Sequence, residues 1–369
     1  MGVLVLVGST PLSFPAGWDT KGYLMMFRSR ALAGASVLAI ASSLLSAAPL
    51  AAQETCGGLP ATITSNEALI QGTEGNDVII AGDGDNTIEA FGGDDLICSR
   101  AGDDEIIAGD GDDFIRAGGG ADIVFGGNGD DRMFGGWGGD TMNGGAGADR
   151  IWGEQNQDAL NGGDGNDIIR GGFAIDELNG GNGNDLMVAG QGRDVLFGGL
   201  GDDIMFGQDF ADAMDGGGGD DWMHGGNGPD DMLGGQGGDT MVGGPGDDFM
   251  LGDDAQAFDD RSAGFFPTGG DDTMSGGPGN DYVGGEGGND LLKGEQDLDV
   301  VEGFHGNDRV EGNTANDILS GGVGNDVLLG GNGADKCWPE MVVMTAGVVP
   351  PINAADSTSQ CEAINQVFN

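Results

Sequence analysis

Histidine is nearly absent from this 369-residue chain: only His224 and His305 occur. A three-histidine zinc centre is therefore impossible, and no His-Glu-x-x-His segment exists. No Gly-x-Ser-x-Gly turn is present to raise a nucleophilic serine. Cysteine is confined to the two ends, as Cys56 and Cys98 and then Cys337 and Cys361, without the close pairs of a structural Cys₄ zinc site. Positive charge is scarce: 13 Lys and Arg stand against 62 Asp and Glu, and the net charge of −49 opposes binding to nucleic acid. Catalysis is accordingly not expected.

What the chain does have is glycine, 80 residues of it, and aspartate on a period of nine. Counting from Gly72, 20 unbroken repeats reach Leu251 and 8 more run from residue 267 to 338. Good copies read Gly-Gly-x-Gly-x-Asp-x-apolar-x, as in residues 126–134 and 180–188. The sixth position holds Asp77, Asp95, Asp104, Asp113, Asp122, Asp131, Asp140, Asp149, Asp167, Asp185, Asp194, Asp203, Asp221, Asp230, Asp239 and Asp248, with Asn86 breaking the series. Beyond the break it holds Asp272, Asp281, Asp290, Asp308, Asp326 and Asp335. Two places after each comes a large apolar residue, such as Ile79, Ile97, Met133 or Met250.

Glycines at positions one, two and four let the backbone enter conformations closed to other residues, so six residues can turn tightly and aim carbonyls inward. The aspartate adds a carboxylate beside them. Such hard oxygen donors suit Ca²⁺ far better than zinc or copper. The last three residues alternate outward, inward, outward, which is a minimal strand with one buried side chain.

This repeat resembles that of the RTX, or haemolysin-type, calcium-binding family, over about three quarters of the chain. The resemblance implies an all-β fold, a right-handed parallel β-roll with two repeats per coil and Ca²⁺ held between turns 18 residues apart. The aspartates named above then become the candidate calcium ligands. Without residues 1–52 the charge is −51, and 28 repeats paired in this way offer at most 26 ions, or +52. One buried apolar residue in nine is a thin core, so metal binding and folding are expected to be one event.

Arg28 and Arg30, an apolar run over residues 31–45 and small residues to Ala52 read as a secretory signal peptide over residues 1–52, with Met25 or Met26 as a candidate true start. A membrane anchor is the alternative, although the apolar run is short and meets Pro49. Residues 53–71 read as an N-terminal cap, 72–338 as the roll, and 339–369 as a C-terminal cap or tail. In a secreted chain the economical disulfides are Cys56–Cys98 and Cys337–Cys361, each pinning a tail to one end of the roll; free or intermolecular thiols are the alternative. The interruption at about 252–266 reads as one turn swollen by 15 residues, either a functional loop or a neutral excursion.

Two repeats per coil place odd and even repeats on separate sheets. The odd face presents Phe114, Arg116, Arg132, Phe134, Arg150, Trp152 and Arg170, while the even face is mostly polar and acidic. The odd face is a candidate contact surface for a partner or a second copy. Alternatively, its arginines stack on exposed aromatics and keep a bare sheet soluble. Five even turns lack a required glycine, those before Asp158, Asp176, Asp212, Asp299 and Asp317. Calcium is expected to be fuller on the odd-turn edge, with side-chain hydrogen bonds closing the deficient turns. Ice binding, known for some members of the family, would want a flat ladder of Thr and Asx, and neither face shows one.

The sequence thus points to a secreted, calcium-binding β-roll that folds on Ca²⁺ and has a structural, surface or adhesion role. The alternatives are an extracellular calcium-sequestering polyanion, or an accessory module of an exported toxin or enzyme system without catalysis of its own.

Overall fold

A computed structural model describes residues 55–253 and 269–338, together with the backbone of strands Ser357–Ser359 and Cys361–Ala363. The expected signal segment, most of the insertion and most of the C-terminal tail lie outside the described residues. There is no helix among the described residues. Two 16-stranded sheets run side by side, one gathering the strands of odd repeats and the other those of even repeats. The chain crosses from sheet to sheet at every repeat, so neighbours within a sheet are parallel and one coil apart. Phe114 pairs with Arg132 and Arg132 with Arg150, each 18 residues on. The result is a parallel β-solenoid of about 14 turns, as the nonapeptide arithmetic implies.

The core is two facing columns of eighth-position side chains. Ile79, Ile97, Ile115 and Met133 climb one sheet, with Ile88, Ile106, Val124 and Met142 climbing the other, all at most 1 % exposed. Isoleucine gives way to methionine along the axis, from Met205 to Met274, and then to leucine and valine. Unbranched methionine fills irregular space without demanding one rotamer.

The strands are longer than the three residues expected. Most span six, as in Arg132–Trp137 and Leu186–Gln191. Ladder pairing continues into the first half of the turn because the stacked glycine segments are themselves extended and in register. A second inward position follows, filled by glycine, by Ala81, Ala90, Ala108, Ala117 and Ala189, or by Ser99.

Close stacking explains the glycines at position two. Gly145 has φ of 112°, and a Cβ there would run into the carbonyl oxygen of Gly127 in the preceding coil. The deficient turns keep the same left-handed backbone with side chains attached: Glu154 (φ 78°), Gln208 (86°), Phe210 (84°) and Ala315 (102°). They are strained copies of the regular turn rather than turns of another type.

The ends of the roll reach into both segments read as caps. Strands Ile63–Ser65 and Leu69–Gln71 already form a coil that pairs with the first repeats, so only the short hairpin of Thr55–Cys56 and Leu59–Pro60 stands apart from the solenoid sheets. Cys56 is disulfide-bonded to Cys98, with Cα atoms 5.8 Å apart, which staples that hairpin to the third repeat. At the other end Ser357–Ser359 and Cys361–Ala363 each add a last strand to one sheet. Cys337 is also disulfide-bonded; the side chain of Cys361 lies outside the described residues. Across the insertion the pairing offset rises from 18 to 33, as in Thr240 with Thr273 and Phe249 with Tyr282. The alternation of faces continues, as expected of a single swollen turn.

Two glycine exchanges should therefore have opposite signs. Gly145→Ala forces an L side chain into a left-handed, sterically closed position and should lower stability by at least about 1–2 kcal/mol. Ala315→Gly removes strain of the same kind and should raise it by about 0.5–1 kcal/mol after the added freedom of the unfolded chain is counted. Denaturant unfolding of the calcium-loaded protein reads both; a shift of the two variants in the same direction would contradict the stacking account.

Candidate metal centre

Each sixth-position aspartate lies at the mouth of a turn, and the stacking of coils sets these residues into two ladders, one per edge of the roll. On the odd edge the backbone N–H of Asp113 donates to Oδ1 of Asp131 (2.8 Å), and Asp131 in turn donates to Asp149 (2.7 Å). On the even edge Asp122 donates to Asp140 (2.9 Å) and Asp140 to Asp158 (2.8 Å). The pattern holds at Asp326 and Asp335, which accept from Asp308 and Asp317. One oxygen of each carboxylate is thus used to lock the next coil in register.

The other oxygen is left over. Oδ2 is buried and has no hydrogen-bond partner along nearly the whole length of both ladders, from Asp95 and Asp113 through Asp131 and Asp149 to Asp317 and Asp335. Buried polar atoms are rarely left unpaired, and a repeated set of anionic ones calls for a cation. The space beside them is shaped for one. A Cβ added at Gly126 would overlap Asp131 Oδ2 and lie 2.6 Å from the carbonyl oxygen of Gly144 in the following coil. Gly144 stands the same way between Asp149 and the Gly162 carbonyl, and Gly216 between Asp221 and the Gly234 carbonyl. At these repeats an unpaired carboxylate oxygen and a carbonyl oxygen of the adjacent coil converge beside the first-position glycine. That all-oxygen donor set fits Ca²⁺.

Two sites show the alternative to a cation. Ser99 replaces the first-position glycine, and its hydroxyl donates to Asp104 Oδ2. At the first repeat Thr73 donates to Asp77 Oδ2 from both its backbone N–H (2.7 Å) and its hydroxyl (2.9 Å). These two carboxylates are satisfied by the chain itself.

Burial dominates the electrostatics. It lifts the carboxyls of Asp131, Asp158, Asp290 and Asp299 to about 8 and that of Asp272 to about 9; a backbone N–H from the preceding coil opposes the shift, and neighbouring ladder carboxylates add to it. The metal-free roll thus holds protons that the unfolded chain, titrating near 4, gives up.

Where glycine counting marked five turns as deficient, the geometry does not set them apart. Asp158, Asp176, Asp212, Asp299 and Asp317 accept the same ladder hydrogen bond, and their Oδ2 atoms are equally without a partner. The expected closure by side-chain hydrogen bonds is not found at these carboxylates, although Thr314 Oγ1 does bond the Glu295 carbonyl in one such turn (3.0 Å). The sequence signal for including them was the aspartate itself, kept in phase. A second feature was also missed. Fifth-position Asx side chains form their own exposed ladder on the odd-turn edge, with Asp94 accepting from Asp112 and Asp112 from Asp130 (3.2 and 2.9 Å), and Asn289 accepting from Asn307. An Asx ladder exists, then, but along an edge rather than a face.

The odd-face residues are brought together as their numbering requires. Phe114, Arg132 and Arg150 form one outward column, and Arg116, Phe134, Trp152 and Arg170 the next. Phe134 stacks on Trp152 with ring centres 4.6 Å apart, and the Arg132 guanidinium lies 5.2 Å from the Phe134 ring and 5.1 Å from the Trp152 ring. Arginine stacking on exposed rings is thus present, and the four guanidinium groups remain exposed to solvent.

Comparison with known proteins agrees with this geometry. The profile of the RTX calcium-binding nonapeptide repeat matches residues 71–106, 100–133, 134–169, 161–196, 170–205, 197–232, 233–255, 267–301 and 302–337. The chain belongs to that family. No curated protein matches the chain significantly. Among solved structures the chain is similar to a hyperactive, Ca²⁺-dependent, β-helical antifreeze protein from an Antarctic bacterium, at 18 % identity over 73 % of this chain and 84 % of that one. The TM-score is 0.29.

Two predictions follow from the ladders. In chelator, acidification from pH 8 to pH 5 should increase β-structure by circular dichroism, because the raised folded-state values make stability fall as pH climbs through about 4 and on to 6–9; with millimolar Ca²⁺ the signal should be flat across that range. Loss of β-structure on acidification in chelator would refute the assignment. Asp149→Asn keeps an Oδ1 for the Asp131 N–H but removes a charge. It should stabilise the metal-free roll and weaken calcium affinity, and a calcium titration followed by intrinsic fluorescence would separate the two effects.

Proposed function

We propose that this protein is a secreted calcium-binding β-roll that is largely unfolded where calcium is scarce and folds where it is plentiful, and that the folded roll has a structural, surface or adhesion role without catalysis. The carrying observation is the unpaired, buried Oδ2 repeated along both edges. A carboxylate in that position tolerates a proton or a cation, and at neutral pH a divalent cation held between coils is the better match. Extracellular calcium modules bind in the range of about 10⁻⁴–10⁻³ M, which would make export itself the folding switch.

An extracellular placement is supported by the basic and apolar leader over residues 25–52 and by a cross-link, Cys56–Cys98, that persists in oxidising compartments. A mechanical or adhesive role is supported by the shape. Two long sheets with neighbouring strands in register offer extended faces, and the family's repeats occupy the chain so fully that no room is left for a separate enzymatic domain within residues 71–337.

Far-UV circular dichroism under Ca²⁺ titration, with Mg²⁺ and chelator controls, tests the proposal. A cooperative gain of β-signal with Ca²⁺ alone is the expected result. A spectrum that remains coil-like at millimolar Ca²⁺ would instead make the chain a calcium-sequestering polyanion.

A further inference from the structure

The two outer sheet faces carry opposite charge. At the seventh and ninth positions of the odd repeats there are six cations and one acid, Glu311, which is paired to Arg309. At the same positions of the even repeats there are six acids and one cation, Lys336. The segregation is sharp for a chain that has 62 acidic residues to place. Arg116, Arg132, Arg150 and Arg170 are exposed, and no described carboxylate lies within ion-pair distance of them. Glu105, Glu177 and Asp231 stand exposed on the opposite face. Large apolar side chains lie exposed between those acids, with Phe125 43 % and Phe197 42 % exposed, and the Phe134–Trp152 stack lies between the arginines.

We propose that the odd face of one molecule docks on the even face of a second copy, with the roll axes side by side. This rests on the calcium-folded roll proposed above and names its partner. Charge complementarity selects the pairing, because odd on odd would set arginines against arginines and even on even acids against acids. Shape permits it, since both sheets have 16 parallel strands and therefore the same rung spacing of about 4.8 Å. A face about 70 Å long and about 10 Å wide offers roughly 700 Å² per molecule, close to one side of a standard interface. The interface is heterologous and leaves one free face at each end, so association is open and extends into rows rather than closing at a dimer. Calcium is required, because without it the net charge of −49 on each copy repels the other.

Sedimentation velocity of the full chain in millimolar Ca²⁺ tests this with two charge-reversed variants, one altered on the odd face (Arg132→Glu with Arg150→Glu) and one on the even face (Glu105→Lys with Glu177→Lys). The unaltered protein should grow in mass with concentration beyond a dimer and dissociate as salt is raised. Each variant alone should be monomeric. Their mixture should regain growth in mass, since one supplies an intact even face, the other an intact odd face, and the two reversed faces complement each other; that regained association also shows that both variants are folded. A monomeric parent with a calcium-dependent β-spectrum overturns the docking while leaving the folding proposal intact. Assembly that survives in the even-face variant alone, or a mixture that stays monomeric, overturns it as well. A coil-like parent in Ca²⁺ overturns both.

Discussion

Stacking one carboxylate on another every coil, with half of each carboxylate's oxygens buried and unpaired, is the constraint on which the molecule depends. The same residue does two jobs. Its Oδ1 receives the N–H of the preceding coil and fixes register at 18 residues, while its Oδ2 faces the carbonyl of the following coil across a first-position glycine. Register and charge are therefore inseparable: the hydrogen bond that aligns the coils is also what draws the carboxylates into low-dielectric surroundings, and burial lifts Asp272 to about 9. A cation resolves the conflict without disturbing the register. Where the chain supplies its own donor, as at Ser99 and Thr73, the conflict is removed locally.

Hydrophobic burial is secondary in this design. One apolar side chain per repeat fills the interior, and its identity drifts from isoleucine to methionine to valine and leucine without changing the coil. A core that tolerates such drift is not what specifies the fold. The second-position glycines are, because coil-on-coil approach at Gly145, in a left-handed conformation, leaves no room for a Cβ. Turns that lack glycine retain the shape at a conformational cost of about 1–2 kcal/mol per left-handed residue, tolerable when ladders on both sides hold the turn in place. Near the N-terminal end of the roll the disulfide of Cys56 and Cys98 ties the outlying hairpin to the third repeat.

Much of this was legible in the sequence because the repeat is strict. Phase assigned Ile79 and Met133 to the interior and Arg132 and Phe134 to the outside, and, with the two-repeat coil that the family resemblance implied, carried the alternation of faces across the insertion. Three things were not legible. The strands run into the turns because stacking, not local propensity, extends Arg132–Trp137. Asp158 and its four counterparts share the ladder because neighbouring coils impose the backbone that Glu154 and Gln208 would not choose. The roll also begins at Ile63, ahead of the first motif, because an eighth-position residue such as Ile79 can pair with any extended segment one coil away. Each is a contact between residues 16 to 18 apart, which composition and local pattern do not encode.

The most direct measurement is the number of calcium ions held per folded chain, by equilibrium dialysis combined with native mass spectrometry. The account predicts a count near one ion per buried unpaired Oδ2, which means more than twenty per molecule and an approach to the ceiling of 26. A folded roll that carries only a few ions at neutral pH would contradict it, because the ladders would then be stabilised by something other than calcium.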